Sequence, residues 1–167
     1  MSGCGAVRVP LPTDRLVLEP VSEKLARAIV AGYLAGVRPA AGWPHEDTLD
    51  ALRIAVETGS DAGWLVRLKA TGEVIGECGT KGPPDQTGAA EIGYGLAGPW
   101  RGRGYGGEAV RALVGWAFTQ PGCRRLTAEV HQDNAASRRL LERLGFGLDR
   151  VVGAYVWYAL DAPLPRS

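Results

Sequence analysis

The sequence predicts one α/β domain of the α+β kind, with a mixed, mostly antiparallel sheet flanked by four helices. Three observations carry that prediction. Apolar spacing alternates along the chain between strand and helix periods, in the order βααβββαβαββ. The central strand-like runs are joined by a Thr71-Gly72 turn and a polar loop, as an antiparallel meander requires. The chain has 167 residues, 46% of them hydrophobic, enough for one core without disulfide or metal support. No repeat or linker divides residues 1–167, and the ordered core is expected over about residues 13–161.

Each element has its own signal. Arg15-Leu16-Val17-Leu18-Glu19-Pro20 alternates and stops at proline, a first strand. Ser22 caps a helix through about Leu34, with Leu25, Ala26, Ala28 and Ile29 as its apolar stripe. After a loop carrying Trp43 and Pro44, a second helix runs from Asp47 or Thr48 to Glu57 and ends at Gly59. Strands follow from Trp64 to Lys69, from Glu73 to Thr80 and from Ala89 to Leu96. A third helix spans Glu108 to Phe118, a strand Arg125 to Val130, and a fourth helix Asn134 to Leu144. Leu148 to Val152 and Tyr155 to Leu160 form a closing hairpin, and the tail from Asp161 frays. The apolar Tyr155 to Leu160 strand is able to pair across a homodimer; burial within one chain explains it equally.

Charge and cysteines narrow the setting. With 19 basic and 18 acidic residues the net charge is +1, which argues against a nucleic-acid coat or a polybasic membrane binder. No apolar run reaches the roughly 18 residues of a membrane span. Met1 to Ala6 lacks the basic and apolar regions of a signal peptide. Cys4, Cys78 and Cys123 are odd in number with no C-x-x-C pair, which suits reduced thiols in a cytoplasm. His45 and His131 are too few and too far apart for a metal cluster, so no metal is expected.

The most informative segment is Arg101-Gly102-Arg103-Gly104-Tyr105-Gly106-Gly107-Glu108, between a strand and a helix. Glycine lets a ligand approach backbone closely, and a helix N-terminus offers unpaired N–H groups and a positive dipole end. Arg101 and Arg103 add charge suited to phosphate. The segment reads as a pyrophosphate cradle, or as a flexible turn with exposed arginines. Gly102, Gly104 and Gly107 also fit G-x-G-x-x-G, with Glu129 placed like a ribose ligand. Against a dinucleotide fold stand the five residues between strand and first glycine, the antiparallel strands before it, and the short chain after it. A second block begins where a strand ends: Asn134 is a good N-cap, Gly145 fits the C′ position of a Schellman turn, and Phe146 packs back on Leu141.

Together these segments resemble the GNAT superfamily of N-acyltransferases. Arg101 to Gly106 matches its R/Q-x-x-G-x-G/A signature, and Asn134-x-x-Ser137 through Gly145-Phe146 its second block. Ala90-Glu91-Ile92-Gly93-Tyr94, Arg103 to Ala109 and Asn134 to Ser137 are similar to the ribosomal-protein N-terminal acetyltransferase (RimJ/RimL-like) branch, and the element order fits from Arg15 to Leu160. The resemblance implies a V-splayed sheet and direct acyl transfer from acetyl-CoA to a primary amine, without a metal. It implies that backbone N–H groups of Arg101, Gly102, Arg103, Gly104, Tyr105 and Gly106, with Gly107 beside them, hold the pyrophosphate. A backbone N–H near Leu96 would polarise the thioester carbonyl, and Asn134 would orient the pantetheine arm or a water. Glu91 is the candidate base, with His131 a weaker one. Where many members carry a general-acid tyrosine, this sequence has Leu141. Ser137 is then the substitute, with Tyr155 and Tyr158 as alternatives. The resemblance assigns acceptor choice to Tyr33, Trp43, His45, Glu46, Asp47, Tyr155 and Trp157, with Glu91, and leaves peptide N-termini, aminoglycosides, polyamines and amino acids open. Two other readings stay open at this point: a non-catalytic acyl-CoA sensor, which Leu141 keeps in play, and a nucleotide-binding module.

Overall fold

The computed structural model describes residues 8–34 and 36–164. Its sheet runs β1 (Leu11–Pro12), β2 (Leu16–Pro20), β3 (Trp64–Leu68), β4 (Val74–Thr80), β5 (Ala89–Leu96), β6 (Arg125–His131), then β8 (Tyr155–Asp161) and β7 (Gly147–Val152) at the far edge. All neighbours are antiparallel except β5 and β6. Four α-helices accompany it: α1 (Glu23–Val30), α2 (Glu46–Thr58), α3 (Tyr105–Ala117) and α4 (Ala135–Arg143). The seven expected strands are all present. The extra one, β1, is two residues long and too short to show a period; it pairs Leu11 with Leu18.

Strand alternation sorts the interior into two clusters. Leu16, Leu18, Trp64, Val66, Ile92, Val110, Leu113, Leu126 and Leu141 lie on the side of α3 and α4. Ile29, Trp43, Leu52, Leu65, Val74 and Ala97 lie on the side of α1 and α2. Both clusters bury large apolar area, at roughly 25 cal/mol per Å2 removed from water.

Several ends differ from the sequence expectation, each for a local reason. α1 stops at Val30 rather than Leu34, because Gly32 turns the chain at φ +80° and the Tyr33 N–H returns to the Ala28 carbonyl at 2.8 Å. α2 starts at Glu46, since the His45 side chain caps it by accepting from the Thr48 N–H. α3 starts at Tyr105, three residues before the expected Glu108; Gly104, at φ +82°, makes the turn into it. α4 ends as expected: Phe146 N–H donates to Leu141 O (3.0 Å) and Gly145 N–H to Glu142 O (3.1 Å), a Schellman motif with Gly145 at φ +93°. Asp161 closes β8, and Ala162 N–H bonds Arg124 O at 2.8 Å, so the start of the expected frayed tail is pinned.

The structure decides between the two readings of the closing strand. The Tyr155 to Leu160 strand, β8, lies between β6 and β7 with both edges taken, so it cannot pair across a dimer. Cys78 and Cys123 are buried free thiols. Cys4, the Met1 to Ala6 start and the last three residues of the tail lie outside the described residues.

Candidate functional site

β5 and β6 pair only from Ala89, Ala90 and Glu91 to Arg125, Leu126 and Thr127. Beyond Glu91 the strands separate, and β5 continues alone on that side for five residues, about 16 Å. In an antiparallel ladder alternate residues turn their backbone groups toward and away from the partner. Lys81 N–H bonds Glu91 O and Ala97 N–H bonds Ile75 O, which fixes the phase. Glu91, Gly93 and Gly95 therefore face β4, and the N–H groups of Tyr94 and Leu96 point into the opening toward β6.

The glycine segment stands at the mouth of this wedge. The backbone N–H groups from Gly102 through Gly107 donate no hydrogen bond among the described residues. Gly102 and Gly104 hold positive φ, +76° and +82°, so consecutive N–H vectors fan outward at the dipole-positive end of α3. Arg101 folds back, its Nε donating to the Leu96 carbonyl at 3.0 Å. The Arg103 guanidinium stacks 5.1 Å over Trp100. A clamp missed at the sequence level holds the loop from behind. Arg15 donates to Glu108 Oε1 (2.9 Å) and to the Arg103 carbonyl (3.1 Å), and lies 4.2 Å over the Tyr105 ring. Burial of the Glu108 carboxyl opposes ionisation, but bonds from Thr13 and Arg15 outweigh it and hold Glu108 below its ordinary range. Arg15 and Glu108 lie 93 residues apart, and no local pattern links them.

Across the wedge, the Tyr94 hydroxyl of β5 is hydrogen-bonded to the Ser137 hydroxyl in the first turn of α4. Burial pushes the Tyr94 phenol up from its usual value, partly offset by the bond to Ser137. The sequence pattern Ala90 to Tyr94 gives Tyr94 no role of its own; its alternation with Leu96 on one face of β5 is the signal that places it here. Asn134 caps α4, its Oδ1 accepting from Ser137 N–H at 3.1 Å. Asn134→Ala is expected to cost about 1 kcal/mol in denaturant unfolding, with Asn134→Ser recovering most of it.

The opposite face of β5 carries a second group. Trp43, 5% exposed, donates its Nε1–H to Glu77 Oε2 at 3.0 Å, and the buried Thr48 hydroxyl donates to the same oxygen at 2.8 Å. His45 Nδ1 lies 3.1 Å from the Thr48 backbone nitrogen and 2.8 Å from the Thr48 hydroxyl, which fixes the ring, and Nε2 on its far side has no hydrogen-bond partner among the described residues. That nitrogen lies 3.8 Å from Glu77 Oε1. Glu77 pairs with Gly95 across the ladder; a Cβ at Gly95 would stand 2.8 Å from Oε1 and 3.3 Å from His45 Nε2. Burial pushes the Glu77 carboxyl up, against the bonds from Trp43 and Thr48 and the pull of His45.

The other expected residues scatter. Glu91 lies on the same face as Gly95 but four residues away, about 13 Å along the strand, and forms an ion pair with Lys81. Glu46 and Asp47 open α2, where Glu46 bonds Arg53. Tyr33 is 67% exposed after α1. His131 and Tyr155 meet edge-on at 5.4 Å where β6 ends, and Trp157 lies under Arg150. Tyr158 is buried beneath α4, donating to Glu142 Oε1 (2.9 Å) and accepting from Arg138 Nε (3.1 Å); these bonds give it a structural place away from the wedge. A cavity of about 760 Å3, lined among others by Ala55, Thr80, Ala90, Trp116 and Cys123, lies at the end of the sheet where β5 and β6 are still paired.

Comparison with known proteins agrees with this geometry. The family described as Acetyltransferase (GNAT) domain matches residues 15–147. The Bacillus subtilis protein named uncharacterized N-acetyltransferase YjdG is 33% identical over 120 residues, covering 68% of this chain and 71% of its own. An acetyltransferase structure from Agrobacterium tumefaciens is 27% identical, with TM-score 0.64 over 97% of this chain and 99% of that one. Mycobacterium smegmatis RimJ in complex with CoA-disulfide is 25% identical, with TM-score 0.63 over 91% of this chain and 85% of that one. A strand pair that parts beside a glycine-opened helix, and a family match over most of the length, lead to one conclusion: this chain belongs to the GNAT acetyltransferase family.

Proposed function

We propose that the protein is an acetyl-CoA-dependent N-acetyltransferase acting on a primary amine. The observation that carries the reading is the wedge: unpaired β5 backbone leading to six unbonded N–H groups at the start of α3. Those N–H groups suit a pyrophosphate, and an extended arm bearing amides suits the open edge of β5. The complex of RimJ with CoA-disulfide supports this choice of donor. Free, buried Cys78 and Cys123 agree with a cytoplasmic setting.

The residues of the wedge divide the work. The Leu96 N–H is aimed at the space where a thioester oxygen gains negative charge during attack, an oxyanion-type contribution. The Tyr94 O–H, steadied by Ser137, protonates the departing sulfur; its raised pKa keeps it a donor through neutral pH. As the C–N bond forms, the C–S bond breaks and its electron pair leaves on sulfur. The nitrogen, positively charged once the C–N bond forms, gives its surplus proton to the phenolate and keeps the other as the amide N–H. Tyr94 thus takes the place that Leu141 leaves empty.

The test is calorimetric titration with acetyl-CoA, coenzyme A, NAD and ATP, followed by a free-thiol assay over amines. Tight acetyl-CoA binding with thiol release that depends on one amine class is the expected result. Binding with no amine-dependent release would point to an acyl-CoA sensor, and NAD or ATP binding in its place would remove the reading.

A further inference from the structure

We infer that Glu77, held by Trp43 and Thr48 and faced by His45, is the carboxylate that receives the acceptor amine and takes its proton. The inference rests on the acyl-transfer reading and adds a catalytic residue to it. Three features of the site carry it. Glu77 stands beside Gly95, the residue next to Leu96, whereas Glu91 is five residues from Leu96, about 16 Å along the strand. The carboxylate is fixed through one oxygen only: Oε2 accepts from Trp43 Nε1 and Thr48 Oγ1. Oε1 accepts no hydrogen bond among the described residues, and the side chain is 14% exposed. The absence of side chains at Gly93 and Gly95 leaves β5 backbone as the floor along this face, and any Cβ at Gly95 would displace the Glu77 oxygen.

His45 completes the arrangement. Its ring is oriented by the Thr48 backbone nitrogen and hydroxyl, and its Nε2, 3.8 Å from the same Oε1, is buried without a hydrogen-bond partner among the described residues. A buried polar atom left unpaired is uncommon and costly. An oxygen that is itself waiting for an ammonium explains why His45 is held near it yet out of bonding distance. The step balances: Glu77 Oε1 accepts one proton from the R–NH3+ group, leaving the lone pair that forms the C–N bond, and later gives that proton to water. Glu91, held by Lys81, is left to the approach path.

The test compares wild type with Glu77→Gln and Glu91→Gln. Glutamine keeps an acceptor for Trp43 and Thr48, so the fold is retained. For Glu77→Gln the expected result is a fall in kcat/KM for the amine of about 100-fold or more, with acetyl-CoA affinity within twofold. The acid limb of the pH–rate profile that Glu77 ionisation sets should disappear as well. The charged and titratable groups near Glu77 are His45 and Asp47 at the start of α2 and Cys78 beside it on β4; β3 and β5 present Leu65 and Gly95. Because the folded Glu77 pKa is raised, its ionisation removes stability as pH rises from the ordinary glutamate range through the folded value. Glu77→Gln should therefore match or exceed wild type in Tm at pH values above the folded Glu77 pKa, which shows that the variant folds and leaves the kinetic readouts to decide the role. Unchanged amine turnover and pH profile in Glu77→Gln, with the limb lost in Glu91→Gln, would overturn the inference. If wild type releases no thiol with any amine, the acyl-transfer reading falls separately. Calorimetry of coenzyme A-saturated protein with a short peptide, spermidine or an aminoglycoside then decides: binding to wild type and not to Glu77→Gln supports the site, and equal or absent binding overturns it.

Discussion

Tyr94→Phe is expected to lower kcat by about 100-fold to 10,000-fold, the range of a positioned general acid, while leaving the Kd for acetyl-CoA nearly unchanged. Phenylalanine keeps the ring that packs at the edge of the α3-side core and removes only the hydroxyl bonded to Ser137. Ser137 lies in the accessible first turn of α4, so losing its partner leaves no buried orphan, and stability should stay within about 0.5 kcal/mol. The wild-type acid is raised above the usual tyrosine pKa of about 10, so kcat should show no basic limb of its own between pH 6 and 9. Ser137→Ala should fall less than Tyr94→Phe, because it loosens the phenol without removing its proton. A Tyr94→Phe variant with wild-type kcat would remove tyrosine from the reaction. Loss of kcat with equal loss of acetyl-CoA affinity would make it a binding residue.

Gly104→Val is the second large effect: a rise in the Kd for acetyl-CoA of about 100-fold by calorimetry, with a lower Tm. Gly104 sits at φ +82° as the N-cap of α3, a left-handed conformation that costs an L residue roughly 1–2 kcal/mol and a β-branched one more. Its new Cβ would also stand 3.3 Å from Arg15 Nη2, pressing on the clamp to Glu108. Escape to negative φ would swing the N–H groups of Gly102 through Gly107 out of their common direction. Gly107→Ala is the control. Gly107 is inside α3 with nothing within 4 Å of an added Cβ, so alanine should raise Tm, by up to about 1 kcal/mol of stability. If Gly104→Val bound acetyl-CoA as wild type does, the cradle would not be the anion site.

What the sequence announced and what it withheld follow from the range of each interaction. Local chemistry was legible: Ser22 and Asn134 as caps, Gly59 and Gly145 as helix ends, and the span of β5 to the residue. Interactions between residues far apart were not. Arg15 with Glu108, Tyr94 with Ser137 and Trp43 with Glu77 are separated by 93, 43 and 34 positions, and none has a spacing rule. Glu77 was hidden for a further reason. It occupies a strand position where a solvated charge is unremarkable, and only the three side chains over it make it a buried carboxylate. The early start of α3 is of the same kind. Four glycines within the eight residues from Arg101 to Glu108 read as loop, yet the anchoring of Glu108 from β2's approach allows Tyr105, Gly106 and Gly107 to coil.

The short seam between β5 and β6 also has a mechanical meaning. Three paired positions, with the Arg124 and Arg125 N–H groups on the Gly88 carbonyl, tie five strands on one side to three on the other, and beyond Glu91 side chains such as Tyr94 on Ser137 span the join. In hydrogen exchange such a seam should open as a unit before either half-sheet unfolds, exposing the amides near Ala90 and Leu126 together. A coenzyme lying along β5 from Tyr94 to the start of α3 would act as a keystone for that joint. At 100 times its Kd it would add about 2.7 kcal/mol to the folded state, and the gain should register on both halves at once rather than only beneath the ligand.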